Sequence, residues 1–187
     1  MLSNCKDAMD NSPIIAAIKD MAGLEKCLIC DSQVIFILFG DICNIADIVD
    51  KVKAAGKTAM VHIDLINGLS GKEIAVDFIR KYTHADGIIT TKPVLIKRAR
   101  ELELSTILRF FVIDSMAYDS IEKQLRSVKP DYIEILPALM PKVVSRICRI
   151  SKVPVITGGL ISDKDVVSML NAGAVCISST NPDVWFL

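Results

Sequence analysis

At 187 residues, 51% of them hydrophobic, the chain has the size of one ordinary domain and enough apolar side chain for one buried core. Its 22 basic and 22 acidic residues cancel, with a pI near 6.7, which excludes a global field able to recruit nucleic acid or anionic lipid. The longest apolar run, Val34 to Phe39, is far too short to cross a bilayer, so no membrane partner is expected.

Apolar, β-branched runs follow one another at Ile14–Ile18, Val34–Phe39, Thr58–Ile63, Gly87–Thr90, Thr106–Ile113, Tyr132–Leu136, Val153–Ile156 and Ala174–Ile177. They are continuously apolar rather than alternating, as strands of a parallel sheet covered on both faces are. The stretches between them have helical spacing. Ile45, Ile48, Val49 and Val52 share one face, as do Ile74, Phe78 and Ile79, then Val94, Leu95 and Ala99, then Val143, Val144 and Ile147. Ser70, with Glu73 three residues on, is placed to cap one helix. Ser162 and Asp163 are placed to cap another, which Gly173 ends.

Eight strand–helix units predict an α/β fold, a compact (β/α)8 TIM-like barrel filling residues 1–187 as a single domain. After Thr180 only NPDVWFL remains, so the last helix is truncated and leaves an apolar flank. Trp185, Phe186, the segment from Met1 to Asn11, or a second subunit must cover it. The competing arrangement is an open doubly wound sheet, since periodicity does not establish closure.

Six cysteines lie mostly inside apolar stretches, as buried thiols of a reducing, cytoplasmic compartment do. Cys27-Leu28-Ile29-Cys30 is a lone CxxC, and His62 and His84 give no spacing to complete a metal site, so neither metal nor cofactor is predicted.

In such a barrel the C-terminal strand ends line the functional mouth, and the last two strands commonly build a phosphate site. Gly158 and Gly159 end the seventh strand, where backbone N–H groups can approach an anion closely. Ser178, Ser179 and Thr180 end the eighth with hydroxyl donors, and Asn181-Pro182 opens a helical turn behind them. The plainer reading of Gly158-Gly159 is a tight strand-to-helix turn. Asp64 follows the third strand and suits either a hydroxylated ligand or a cap for the turn through Gly68. Arg109 and Glu134 are charges set inside apolar runs, which is costly unless they pair, either as ligand contacts or as a structural ion pair at the barrel floor. Lys19 ends the first strand, within reach of a ligand or simply solvated. Two basic sets stand out. One is KPVLIKRAR from Lys92 to Arg100, with Lys97 and Arg98; the other is Lys142, Arg146 and Arg149 on one helical face. The residues Tyr82, Tyr118, Tyr132 and Trp185 do not interleave with either, so no stacking platform for bases is predicted.

No nucleophile elbow, Walker loop or GxGxxG is present, and no lysine is set inside a strand as a Schiff-base residue would be. Catalytic residues are therefore not assigned. The alternative is an isomerase or lyase of a small phosphorylated metabolite, using Asp64 and Glu134 as acid and base. A third reading is a phosphate-binding subunit whose output is another protein.

The blocks HIDLINGLSG (His62 to Gly71), ADGIITTKPVLIKRA (Ala85 to Ala99), RFFVIDS (Arg109 to Ser115), PDYIEILPA (Pro130 to Ala138), ITGGLI (Ile156 to Ile161) and AGAVCISSTNPDVW (Ala172 to Trp185) resemble the bacterial glycerol-3-phosphate-responsive antiterminators, regulators of the glycerol uptake operon. The resemblance covers most of the chain in order. It implies a barrel-like, non-enzymatic sensor that binds glycerol-3-phosphate and acts on the leader of a messenger RNA to prevent termination. Carried across, Gly158, Gly159, Ser178 and Ser179 would hold the phosphate, and Asp64 and Glu134 would sit near the glycerol hydroxyls; Lys19, where the family more usually has an arginine, and Arg109 are further candidates for the hydroxyls from their own positions. RNA would meet Lys97 and Arg98 or the Lys142–Arg146–Arg149 face, paired across a homo-oligomer.

Overall fold

The computed structural model describes residues 2–138, 140–159 and 162–187. Parallel strands β1 (Ile14–Ile18), β2 (Val34–Ile37), β3 (Thr58–His62), β4 (Gly87–Thr90), β5 (Ser105–Phe111), β6 (Tyr132–Leu136), β7 (Val155–Gly159) and β8 (Cys176–Ser179) pair in sequence order. β8 returns to β1, with Ile15 opposite Ser178 and Ala16 opposite Ser179, so the sheet is a closed barrel and not an open one. Helices α1 (Leu2–Asn11), α2 (Met21–Cys27), α3 (Ile45–Ala54), α4 (Ile74–Tyr82), α5 (Pro93–Glu101), α6 (Ser115–Ser127), α7 (Pro141–Ile150) and α8 (Asp163–Asn171) complete the fold, with 3-10 turns at Ile63–Leu65 and Pro182–Phe186.

The continuous apolar runs have the reason expected. On β2, Val34 and Phe36 join the barrel interior with Ile15, Met60, Ile107 and Ile156, while Ile35 and Ile37 join the layer under the helices. Both faces of each strand are thus removed from water. α3 buries its predicted face, Ile45, Ile48, Val49 and Val52. α4 is turned slightly from expectation: Ala75, Val76 and Ile79 are buried and Ile74 is exposed. The cause lies upstream. The connection after β3 is spent on a 3-10 turn and an isolated bridge from Asn67 to Asp41, so α4 begins at Ile74 and Ser70 does not cap it. α5 likewise buries Leu95, Ile96 and Ala99 and leaves Val94 exposed. α8 starts as predicted: Asp165 Oδ2 accepts from Ser162 N at 2.9 Å and Ser162 Oγ at 2.6 Å, and Gly173 takes φ +106° just past its end.

The flank without an outer helix is covered from within. Trp185, 1% exposed, packs with Ile18 and Leu24, and its Nε1 donates to the Ser179 carbonyl at 2.7 Å. Phe186 remains half exposed. The amino-terminal segment does something else. α1 lies across the opposite end of the barrel, where Cys5 and Met9 pack into the interior cluster and Cys5 and Lys6 meet Ser105, Asp131 and Pro154 at the strand starts. α1 therefore plugs the barrel at the N-terminal strand ends. At the plugged end Asp86 accepts from Ala59 N and Lys53 Nζ, and Lys57 Nζ donates to the carbonyls of Cys30 and Ser32, pinning strand starts together.

Candidate functional site

Going up the barrel, the inward-facing residues change from apolar to polar. β3 sends in Met60 and then, two residues on, His62; β5 Ile107 and then Arg109; β6 Tyr132 and then Glu134; β8 Cys176 and then Ser178. Register places Arg109 opposite Glu134, and the pair closes with Arg109 Nε 2.5 Å from Glu134 Oε2. Glu134 is fully buried and Arg109 only 7% exposed. The second carboxylate oxygen, Oε1, accepts from Ser178 Oγ at 2.6 Å. Both oxygens of Glu134 are thereby occupied, which a charge with no access to water requires. Among the described residues nothing accepts from the two Nη groups of Arg109. The pair sits in the polar upper layer, not at the floor.

Gly158 is the neighbour that makes this chain possible. A Cβ there would lie 2.3 Å from Ser178 Oγ and 2.7 Å from Glu134 Oε1, so no larger residue fits. Gly159 has open space around it but adopts φ +137°, a conformation that favours glycine. Leu160 and Ile161 of the ITGGLI block lie outside the described residues. Ser178 and Ser179 part company: Ser179 is one residue out of phase, its Oγ accepts from Asn181 N at 3.1 Å, and it faces the outer layer under Trp185. Asn181 Oδ1 in turn accepts from Asp183 N, opening the predicted turn at Pro182. Just past this seam lies a cavity of about 240 Å³ whose lining includes Ala17, Lys19, Gly23, Thr180, Pro182 and Trp185. Lys19 is exposed there, while Asp20 caps α2 by accepting from Gly23 N.

On the other side of the mouth Asp64, in the 3-10 turn after β3, braces two loops. It accepts from Thr91 N (2.7 Å), Thr91 Oγ1 (3.0 Å), Thr90 Oγ1 (3.0 Å) and Lys92 Nζ (3.2 Å). Burial pushes its carboxyl up, but the hydrogen bonds from Thr91, Lys92 and Thr90 outweigh this and hold it below the usual carboxylate range. It is thus a β3–β4 brace rather than a cap for the turn through Gly68. Beside it His62 is 2% exposed, and burial together with the Arg109 guanidinium pushes its imidazole down from 6.5 to about 4. In the sequence a histidine at a strand end signals nothing until its phase is known, and the structure supplies that phase for His62.

The basic sets fare differently. Lys97 is exposed on α5, but Arg98 is held by Asp77 at 2.6 Å and Glu101 at 2.7 Å, which leaves it little freedom for another partner. Lys142, Arg146 and Arg149 are exposed together on α7. The Arg146 guanidinium lies over the Tyr118 ring of α6, 5.0 Å from its centroid. The two residues are far apart in sequence, so no interleaving was visible. Among the described residues no group of three His, Cys, Asp or Glu side chains gathers as metal ligands. Burial pushes the Cys27 thiol of the CxxC up to about 12, and both its thiols donate to backbone carbonyls.

Known proteins share this whole architecture. The Escherichia coli K12 protein YgcP is 44% identical over 177 residues, 94% of this chain and 93% of its own length. The glycerol uptake operon antiterminator regulatory protein of Listeria monocytogenes 4b F2365 superposes with a TM-score of 0.90 at 33% identity, covering 94% of this chain and 95% of its own. A glycerol uptake operon antiterminator-related protein of Thermotoga maritima MSB8 superposes with a TM-score of 0.83, also at 33% identity, over 94% of this chain and 99% of its own. The profile of one family, described as glycerol-3-phosphate responsive antiterminator, matches residues 14–185, the whole of the barrel from β1 to Trp185. The chain belongs to the glycerol-3-phosphate responsive antiterminator family.

Proposed function

We propose that this chain is a cytoplasmic sensor, not an enzyme, that binds glycerol-3-phosphate in the barrel mouth and promotes antitermination through the leader mRNA of a glycerol utilisation operon. The observation that carries the reading is the buried Arg109–Glu134–Ser178 chain packed under Gly158, a polar layer toward the C-terminal strand ends of a barrel plugged at its other end. The backbone at Gly158, Gly159, Ser178 and Ser179 takes the phosphate; Arg109, Glu134, Lys19 and Asp64 lie toward the glycerol hydroxyls. Family membership supports the ligand and the regulatory output.

The acid–base alternative is less well supported, because both carboxylates are already engaged by the protein's own donors. Asp64 accepts from three residues, and both oxygens of Glu134 are taken by Arg109 and Ser178. A proton-transfer group must be able to reach the substrate. For the output, the Lys142–Arg146–Arg149 face of α7, with Tyr118 behind it, supplies local positive charge that the whole chain lacks. A second copy in a homo-oligomer would double that face.

Thermal melting with glycerol-3-phosphate, dihydroxyacetone phosphate and inorganic phosphate tests the ligand. At a concentration about 100 times Kd a bound ligand adds about 2.7 kcal/mol, or roughly 5–11 °C for a chain of this size. No shift at millimolar glycerol-3-phosphate removes the ligand. Filter binding to the operon leader RNA, with and without glycerol-3-phosphate, tests the output. Retention indifferent to ligand and to RNA sequence overturns it.

A further inference from the structure

We propose that His62 is a direct ligand contact, reading a hydroxyl of the bound polyol phosphate together with Arg109 from the side of the mouth opposite the β7 glycines. This rests on the ligand-site reading above. Among the described residues three buried side-chain atoms have no hydrogen-bond partner: Ser32 Oγ, Thr157 Oγ1 and His62 Nδ1. Ser32 is at the plugged end beside Lys57. Thr157 lies between inward-facing Ile156 and Gly158 on β7 and so faces the outer layer. Of the three, His62 is in the interior phase, two residues above Met60, at the C-terminal end of β3. Leaving such an atom unpaired is unfavourable, and an arriving ligand atom relieves it.

The neighbouring groups narrow what that atom is. Asp64 and Glu134 already accept from the protein's own donors, and among the described residues the inward-facing side-chain nitrogens here without a partner are the Nη pair of Arg109 and Nδ1 of His62. Arg109 only donates. Burial and the adjacent guanidinium keep the imidazole neutral at pH 7, so one of its nitrogens is an acceptor. Where the unprotonated nitrogen meets the ligand, an oxygen held between it and Arg109 accepts from Arg109 and donates to His62. An alcohol does both, whereas a ketone can only accept. With the secondary hydroxyl of the ligand in that position, the device separates a polyol phosphate from its keto counterpart.

The test is calorimetric titration of the full chain and of His62→Phe and His62→Asn with glycerol-3-phosphate, dihydroxyacetone phosphate and inorganic phosphate. The wild type should prefer glycerol-3-phosphate to dihydroxyacetone phosphate. His62→Phe should lose about 10- to 100-fold in glycerol-3-phosphate affinity and lose the preference, with inorganic phosphate unchanged. His62→Asn, which keeps a donor and an acceptor, should fall between. The unliganded melting temperature of His62→Phe should not drop, because a phenyl ring replaces an orphaned polar one; a purely structural histidine would give the reverse. If the wild type ignores glycerol-3-phosphate, the sensor reading falls and takes this one with it. If the wild type binds and His62→Phe binds within about 3-fold with the preference intact, His62 is not a contact and the sensor reading stands. Should His62→Phe not fold, the His62 ring resonances of the wild type decide. They move with glycerol-3-phosphate but not with phosphate if the contact exists, and move with neither if it does not.

Discussion

Removing the guanidinium of Arg109 should be among the most damaging single changes in this barrel, and removing its partner as well should repair most of the damage. Arg109→Met leaves Glu134, fully buried, with Ser178 Oγ as its one remaining partner among the described residues. Breaking a buried pair from one side costs about 3–5 kcal/mol. For a chain of 187 residues that is a fall of roughly 6–20 °C in melting temperature. The double variant Arg109→Met, Glu134→Met buries no charge and nearly conserves volume. It should return to within about 1–2 kcal/mol of the wild type, the residue being the acceptor that Ser178 Oγ loses. Urea titration and calorimetry without ligand measure both. Glycerol-3-phosphate should then stabilise the wild type and leave the stable double variant unmoved. A single-variant cost under about 1 kcal/mol, or a double variant no better than the single, refutes the description of this pair. A double variant that still responds to glycerol-3-phosphate makes the pair purely structural.

Gly158→Ala drives a methyl to 2.3 Å from Ser178 Oγ, so it should cost about 2–5 kcal/mol through overpacking and loss of the Ser178–Glu134 bond; adding Ser178→Ala should recover part of this in a thermal melt. Trp185→Phe removes the donor to the Ser179 carbonyl and opens space against Ile18 and Leu24, and should cost about 1–3 kcal/mol in urea unfolding followed by circular dichroism. His62 has a folded-state pKa lowered from 6.5 to about 4, so the unfolded chain binds a proton that the native one refuses between those values. Stability present above pH 6.5 is lost as pH falls toward 4, by about 3 kcal/mol, and His62→Phe should lose that much less over the same window. Replacing Lys142, Arg146 and Arg149 with Ala should flatten the salt dependence of leader-RNA retention by about 0.7 in log–log slope per lost phosphate contact, while Arg98→Ala, already committed to Asp77 and Glu101, should leave it unchanged.

What the sequence made legible was set by cost. Eight continuous apolar runs are affordable only as strands buried on both faces, and β1, β4 and β6 match their predicted bounds to the residue. Arg109 and Glu134 were conspicuous for the same reason, since a charge inside such a run must find its opposite, and register sets them side by side. What stayed hidden depends on partners remote in the chain. Asp64 reads as a free acceptor until β4 brings Thr90, Thr91 and Lys92 onto it, and Tyr118 reads as unrelated to a basic helix until α6 and α7 pack. The amino-terminal helix could not be told from flank cover, because an amphipathic segment does not encode which end of a barrel it plugs.

Ser178 and Ser179 show how fine this divide is. As adjacent serines at a strand end they are indistinguishable in composition and spacing, and both suit an anion. A strand's two-residue period separates them completely. Ser178 points inward and gives its proton to Glu134, whereas Ser179 points outward, accepts from Asn181 and offers its carbonyl to Trp185. Any contact of Ser179 with a ligand must therefore run through its backbone, and its hydroxyl should matter for the closing turn. Ser179→Ala should lower the melting temperature without changing glycerol-3-phosphate affinity, while Ser178→Ala should weaken binding by unsettling Glu134 and, through it, the fork of Arg109. If the two substitutions act alike on affinity, the phase of β8 does not govern the site.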